Sequence, residues 1–419
     1  MARENTMRLP EGVKIPITVA LCAVAAFAAG TIWSLNYWST GAALTAIFAL
    51  AIWTLFLARA PRWTWSLSLL FAIAGWQVVQ LALHVPIYRF AAEQSLLTWC
   101  GYACAFWVGV QVFDNPQAVR CFRGIVLGVA FVCSLIAILK AASGSDRILW
   151  FLETPYSRDA IGLFLNRNYY AAFIELTLPL ALTDALIRQR KVLLNGAIAA
   201  TMFASVILSA SRAGTALVIL ELLVFLAAPL VRAIRGAGAR EYWTAIASLV
   251  LVLLTTSVVG WDALTQRLRS NEHLGNRLAF ASASVRMIQD HPLLGTGLGS
   301  WPIAYPAYAT IDAMAEVNHA HNDWLEWAAE GGIPFAGLML LLCLRAFRHC
   351  FRYPWGVGLL SVCLHSTLDF PLQKFPILLI FLLVAAALEA RAGSERGYIS
   401  GRSLEQLTAD RLVYDIRAQ

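Results

Sequence analysis

The chain has 419 residues, 59% of them apolar and only 14% charged, with a net charge of +7. An average soluble domain is about 45–50% apolar and about 25% charged, so one soluble core cannot hold this apolar surface and lipid must cover much of it. The basic balance does not point to nucleic acid, because Lys and Arg fall in short clusters between apolar runs, a pattern that sets membrane topology.

An α-helical span needs about 20 apolar residues. Such runs lie near 13–35, 39–58, 64–84, 96–113, 121–142, 168–187, 192–210, 213–231, 243–260, 333–347, 354–371 and 374–391. The first is too long for a cleavable signal peptide, and the tenth can extend back to Asn322. The pattern predicts an all-α polytopic membrane protein of about twelve transmembrane helices. The 15 Trp suit it, since indole favours the headgroup boundary. All eight Cys fall in apolar runs or on the side assigned to the cytoplasm, so neither a disulfide framework nor a zinc site is expected.

With the N-terminus inside, about two thirds of the 32 Lys and Arg fall on one side. Both termini are therefore expected in the cytoplasm, with an even number of spans. The chain divides into a bundle of about nine spans (1–260), a helical outer loop domain (261–332), C-terminal spans (333–392) and a cytoplasmic tail (393–419). Cations on the outer side run against the topology rule. They include Lys140, Arg147, Arg158, Arg167, Arg212, Arg267, Arg269, Arg277 and Arg286. A loop domain of ordinary composition accounts for single members. For the set, an anionic ligand at the outer face is the better account, because guanidinium matches phosphate oxygens in a bidentate fork.

Two outer stretches, 141–167 and 261–320, exceed the usual loop length and are read as functional or structured. The second holds a predicted helix near 276–290 with Leu278, Ala281, Val285 and Ile288 on one face. His291-Pro-Leu-Leu-Gly-Thr-Gly-Leu-Gly299 then breaks it.

Four segments carry candidate chemistry. Asn166, Arg167 and Asn168 precede the sixth span, as a helix cap or as donors aimed at phosphate or sugar. Ser209-Ala-Ser-Arg-Ala-Gly214 puts Arg212 in a tight turn near hydrocarbon, where a cation is costly and should face the bundle interior or a cavity. Arg277 and Arg286 lie nine residues apart on the loop helix and project in different directions, so they do not clamp one oxyanion jointly. The fourth segment runs from Val317 through His319, His321 and Asn322 to Gly331-Gly-Ile-Pro334. Its histidines can cap a helix, hold a metal from an extended segment or transfer protons near neutral pH. A convincing third metal ligand is missing. Together the arginines and a histidine suit a lipid-linked diphosphate: guanidinium stabilises charge on the leaving oxygen, and imidazole takes the proton of an attacking hydroxyl.

This ordered set, Asn-Arg-Asn, Ser-Arg-Ala-Gly, Arg277 with the Gly-rich break, and Ala-His-Asn-Asp-Trp-Leu before Gly-Gly-Ile-Pro, resembles the O-antigen ligase and polymerase superfamily over about residues 160–340. The resemblance implies a metal-independent glycosyltransferase of GT-C-like type in the bacterial inner membrane, with a periplasmic active site and no cofactor. Its donor would be a glycan on undecaprenyl diphosphate. The acceptor would be lipid A-core in a ligase, the favoured reading, or a second lipid-linked repeat unit in a polymerase. Besides these and membrane lipids no partner is implied. By the same resemblance His321 is the base and Arg212 and Arg277 hold diphosphate. Arg286 and Arg167 assist, and Asn166, Asn168, Asn322 and His319 contact substrate. A transporter of the same lipid would instead carry charge through the bilayer midplane, where Glu175, Glu221 and Asp369 are the main suspects.

Overall fold

A computed structural model describes residues 9–34, 37–154, 157, 160–234, 250, 274–311 and 317–394. Among these, ten helices are long and apolar enough to cross a membrane, and the only β contacts are two isolated bridges, Ile148 with Leu152 and Ile161 with Phe164. The protein is a multi-pass, all-helical membrane protein. In chain order the helices are α1 (Glu11–Gly30), α2 (Tyr37–Leu57), α3 (Trp65–Ala82), α4 (Arg89–Val112), α5 (Pro116–Ser143), α6 (Arg167–Leu182), α7 (Val192–Ser209), α8 (Arg212–Ile234), α9 (Leu274–Asp290), α10 (Trp301–Tyr308), α11 (Asp323–Phe347), α12 (Gly358–His365) and α13 (Phe375–Ser394). The expected ninth span, 243–260, lies outside the described residues apart from Val250.

Burial separates central from peripheral helices. In the α6 and α13 spans 89% of the residues are enclosed by protein, against 33% for α2. Such enclosure needs apolar side chains all round the helix rather than a single stripe. α6 packs on α5, α7, α8 and α12, while α4 joins α1, α2 and α3, and α3 reaches α11. One end of this bundle is fastened by ion pairs: Lys14 and Arg62 with Asp114 (2.8 and 3.3 Å), Arg123 with Asp184 (2.8 Å) and Arg345 with Glu389 (3.3 Å). The candidate catalytic segments gather at the other end.

Two expectations about helices change. The run 354–371 is not one long helix: the helical stretch Pro354–His365 stops and a turn follows. The Asp323 N–H donates to the Ser366 carbonyl (2.9 Å), and the Asp323 carboxylate accepts from Leu372 N (3.0 Å). The start of α11 thus holds the turn, and Pro371 lacks the N–H that would continue a helix. In α9 the buried face is Phe280, Ala283, Ser284 and Met287, whereas Leu278 and Val285 are exposed. The apolar stripe read from the sequence is therefore rotated. Trp301 and Tyr305 of α10 pack on Phe280 and Ala283, with Trp301 Nε1 donating to Ser284 Oγ (3.0 Å), and this neighbour chooses the face.

α11 begins at Asp323, ahead of the run 333–347, and is broken at Gly332, where φ is +74°. A side chain there would place Cβ 2.0 Å from the Leu293 carbonyl oxygen, so only glycine fits. Backbone groups loosened by a break in lipid need new partners. Thr296 N donates to Ala329 O (3.0 Å), Gly297 N and Gln80 Nε2 donate to Glu330 O (2.9 Å each), and Trp76 Nε1 donates to Gly331 O (2.8 Å). The Gly-rich segment and the Gly331-Gly332 break are thus two halves of one joint. That joint sets the angle at which the histidine segment enters the bundle.

Candidate active site

Asp369 is the hub. It sits in the turn after α12 and is almost wholly buried. Its Oδ1 lies 3.2 Å from His321 Nδ1 and accepts from Phe370 N (3.0 Å). Its Oδ2 accepts from Arg277 Nη2 (3.1 Å) and from Asn168 Nδ2. Four donors on two oxygens favour the charged carboxylate. Burial alone would push the Asp369 carboxyl up, but His321, Arg277 and His365 overcome that and hold it at about 2.

Each partner is positioned by a local device. Asn166 caps α6, its side chain accepting from Asn168 N (2.7 Å), which turns the Asn168 amide toward the hub. Asn168 Oδ1 accepts from Ser211 Oγ (2.8 Å), and Ser211 also accepts from Gly214 N (3.2 Å) at the start of α8. At Gly214 a Cβ would meet that of Ala171 at 2.3 Å, so the glycine lets α8 lie close to α6. Arg212 follows Ser211 as the first residue of α8 and is half-buried. The chain Ser211–Asn168–Asp369–His321 therefore joins the Arg212 turn to the histidine segment at one end of the bundle.

His321 has φ +54°, a left-handed conformation uncommon outside glycine and found where surrounding structure enforces it. That structure is Asn322, which caps α11 by accepting from Leu325 N (3.0 Å) and donates to Thr367 O (2.9 Å). The His321 ring stacks on Phe280 of α9 and meets Phe370 edge-on. α9 thus delivers Phe280 to the imidazole and Arg277 to the carboxylate that the imidazole faces, three residues apart on one helix face. With Nδ1 directed at a carboxylate, Nε2 is the nitrogen left to accept a proton. Arg277 also donates through Nη1 to Leu368 O (2.8 Å). A guanidinium carries five N–H groups, so others remain for a ligand.

His319 forms a second, separate array. Its Nδ1 lies 2.7 Å from Glu326 Oε1, and its Nε2 lies 3.1 Å from Lys374 Nζ. The ammonium sits over the rings of Tyr169 and Phe370, 4.9 and 4.8 Å from their centroids. Burial, then the charge of Lys374, holds the His319 imidazole well below its usual range. Burial likewise pushes Lys374 down to about 8 against the pull of Glu326, Asp323 and Asp369. The two histidines thus turn to different carboxylates, and among the described residues no group of three or more His, Cys, Asp or Glu is arranged to hold a metal.

Arg286 donates to the Tyr308 carbonyl and so links α9 to α10. Arg167 is half-buried at the first position of α6. Lys140 is spent on the carbonyls of Ser157 and Ala160 (2.7 and 2.6 Å), and Arg147 pairs with Glu153. Arg158, Arg267 and Arg269 lie outside the described residues. Sequence reasoning treated Asp369 only as a transport suspect and passed over Lys374 and Glu326. The available signal was an ionisable residue in an apolar run, which marks a functional site by default.

Residues 197–342 match a family described as O-Antigen ligase. The match supports the resemblance to the O-antigen ligase and polymerase superfamily over that stretch. It takes in Arg212, Arg277, Arg286, His319, His321 and Asn322, and leaves out Asn168 and Asp369. Similarity to this family suggests ligase- or polymerase-type activity, with lipid-linked glycans as the class of partner. No curated protein matches the chain.

Proposed function

We propose that the protein is an O-antigen ligase, moving a glycan from undecaprenyl diphosphate to a sugar hydroxyl of lipid A-core at the periplasmic face of the bacterial inner membrane. The observation that carries this reading is the convergence of His321, Arg277 and Asn168 on one buried carboxylate, with Arg212 joined through Ser211. The acceptor oxygen attacks the anomeric carbon, and the bond from that carbon to the phosphate oxygen breaks. Undecaprenyl diphosphate departs with the electron pair, and the acceptor proton passes to His321 Nε2. Asp369 balances the imidazolium that forms, acting as a positioning residue. Arg277 and Arg212 offset the charge growing on the leaving oxygen, where a preorganised cation in a dry site is worth most. His319 contacts the acceptor side, Asn166 and Asn322 shape the loops that hold Asn168 and His321, and Arg167 and Arg286 assist at the rim.

In this reading the ion-paired end of the bundle faces the cytoplasm with both termini. The ten described spans and the shorter helical stretch Pro354–His365 form a GT-C-like bundle, and the expected span at 243–260 lies outside the described residues. The loop domain 261–332 then divides the N-terminal spans (1–260) from the C-terminal spans (333–392) and tail (393–419). Buried Glu175 pairs with His365 (2.8 Å) and Glu221 with Ser361, local pairings that favour an enzyme scaffold over an ion path.

The test is a product assay with purified protein, undecaprenyl diphosphate-glycan and EDTA, with either lipid A-core or a second lipid-linked repeat unit. Glycan on lipid A-core supports the ligase, and lengthened lipid-linked chains make it a polymerase. His321→Ala is expected to abolish transfer while the protein still inserts and purifies. Full activity in that variant removes the base assignment.

A further inference from the structure

The histidine segment has a second face. A cavity of about 670 Å³ lies between the outer turns of α1, α2 and α4, the Gly-rich loop at Leu298 and Gly299, and the stretches around His319 and Lys374. That volume falls within the roughly 300–1,000 Å³ of small-molecule sites. His319, Glu326 and Lys374 line it, so the cavity abuts the site, yet among the described residues no arginine does.

Its chemistry differs from that around Asp369. Thr40 of α2 and Gln94, Ser95 and Thr98 of α4 present hydroxyls and an amide, and Trp99 presents an indole. Polar side chains in an enclosed membrane helix are costly unless they have hydrogen-bond partners; Thr98 Oγ1 has one in the Gln94 carbonyl (2.8 Å), and its lone pairs can still accept from a ligand. The carboxylates of Glu326 and Glu330 also face the cavity, with Glu330 fixed by Trp301 N (2.8 Å). A diphosphate placed there would find Lys374 as the single Lys or Arg of the described lining, already engaged with His319, and would leave the guanidinium of Arg277 unused. A polyol suits the same wall: its hydroxyls exchange hydrogen bonds with the amide, hydroxyl and carboxylate groups, and its C–H face covers the indole.

We propose that this cavity seats the acceptor, as an uncharged, hydroxyl-rich carbohydrate, while the lipid diphosphate donor is held on the Asp369 side. The inference rests on the glycosyl-transfer reading and adds to it a division of the two substrates across the His319–His321 segment. Both rings pack on Phe370, with centroids 4.0 and 4.8 Å away. The centroids of the two imidazoles are therefore no more than about 9 Å apart, which puts an acceptor against His319 in the neighbourhood of the base.

Ser95→Trp and, independently, Thr98→Trp fill the cavity from α4 without touching the Asp369 cluster. Each is assayed in nanodiscs with undecaprenyl diphosphate-glycan and whichever lipid-linked acceptor the unaltered protein extends. The acceptor's own oligosaccharide, freed of its lipid, is added as competitor. The expected result is a rise of about tenfold or more in acceptor KM with donor KM unchanged. Competition by the free oligosaccharide shows that the sugar itself is read, and its failure to compete overturns the carbohydrate assignment in favour of lipid recognition. A rise confined to donor KM, or no change in either constant in both variants, overturns the acceptor site. Unchanged donor KM also reports that the variants are folded. Absence of any transfer by the unaltered protein defeats the underlying reading instead, so the two failures are distinguishable.

Discussion

Replacing Asp369 by Asn keeps the volume of the hub and removes its charge. The carboxyl is held at about 2 against an ordinary 3.8, and at 1.36 kcal/mol per tenfold that preference for the charged form is worth roughly 2 kcal/mol. It is what remains after burial has opposed it. Part of that preference comes from Arg277 and His365, so where Asp369 steadies the imidazolium formed during transfer its loss lowers kcat by at least about tenfold. The loss grows if ring orientation and tautomer are also relaxed, toward the roughly ten-thousandfold fall seen when the carboxylate behind a catalytic histidine becomes an amide. The carboxyl is depressed, so its contribution to stability is fully present above about pH 4 and disappears as pH falls toward 2. D369N therefore also lowers Tm at neutral pH, and rate must be separated from folding. Single-turnover transfer at saturating donor and acceptor, on protein verified as monodisperse, measures kcat alone. The expected split is a large fall in kcat with little change in acceptor KM. Unchanged kcat, or a fall matched by loss of folded protein, refutes the role given to Asp369.

Arg212→Ala is expected to cost transfer more than Arg286→Ala, because Arg286 is engaged with the Tyr308 carbonyl in bracing α10; equal losses in steady-state kcat/KM would undo that ranking. Gly332→Ala forces a Cβ onto the Leu293 carbonyl at a positive φ, and a strain of several kcal/mol is expected, read as loss of folded yield on size-exclusion chromatography. Lys374, held at about 8, is destabilising while charged. Its cost is full below about pH 8 and fades as pH climbs toward the ordinary lysine value of 10.5, where the unfolded chain also gives up the proton. Lys374→Met is accordingly expected to raise Tm at pH 7 and to shrink the gap to the unaltered protein by pH 10, as followed by thermal unfolding in detergent; a gap that widens with pH contradicts the environment assigned to this amine.

The sequence by itself determined the membrane class and most of the helices. Hydropathy is a local quantity, and twenty apolar residues must span or be buried wherever they lie. It also singled out Arg212, Arg277, His319 and His321, because cations and imidazoles at the ends of apolar runs stand out against a background that disfavours them. The tertiary structure alone decided which of these meet. Asp369 lies 48 residues from His321 and 92 from Arg277, and no periodicity links such positions. The apolar face of α9 was likewise set by Trp301 and Tyr305 of its neighbour, and the short α12 by the grip of Asp323 on Leu372. Pairings of that kind depend on how whole helices pack, so a partner's identity is not written into the segment it completes.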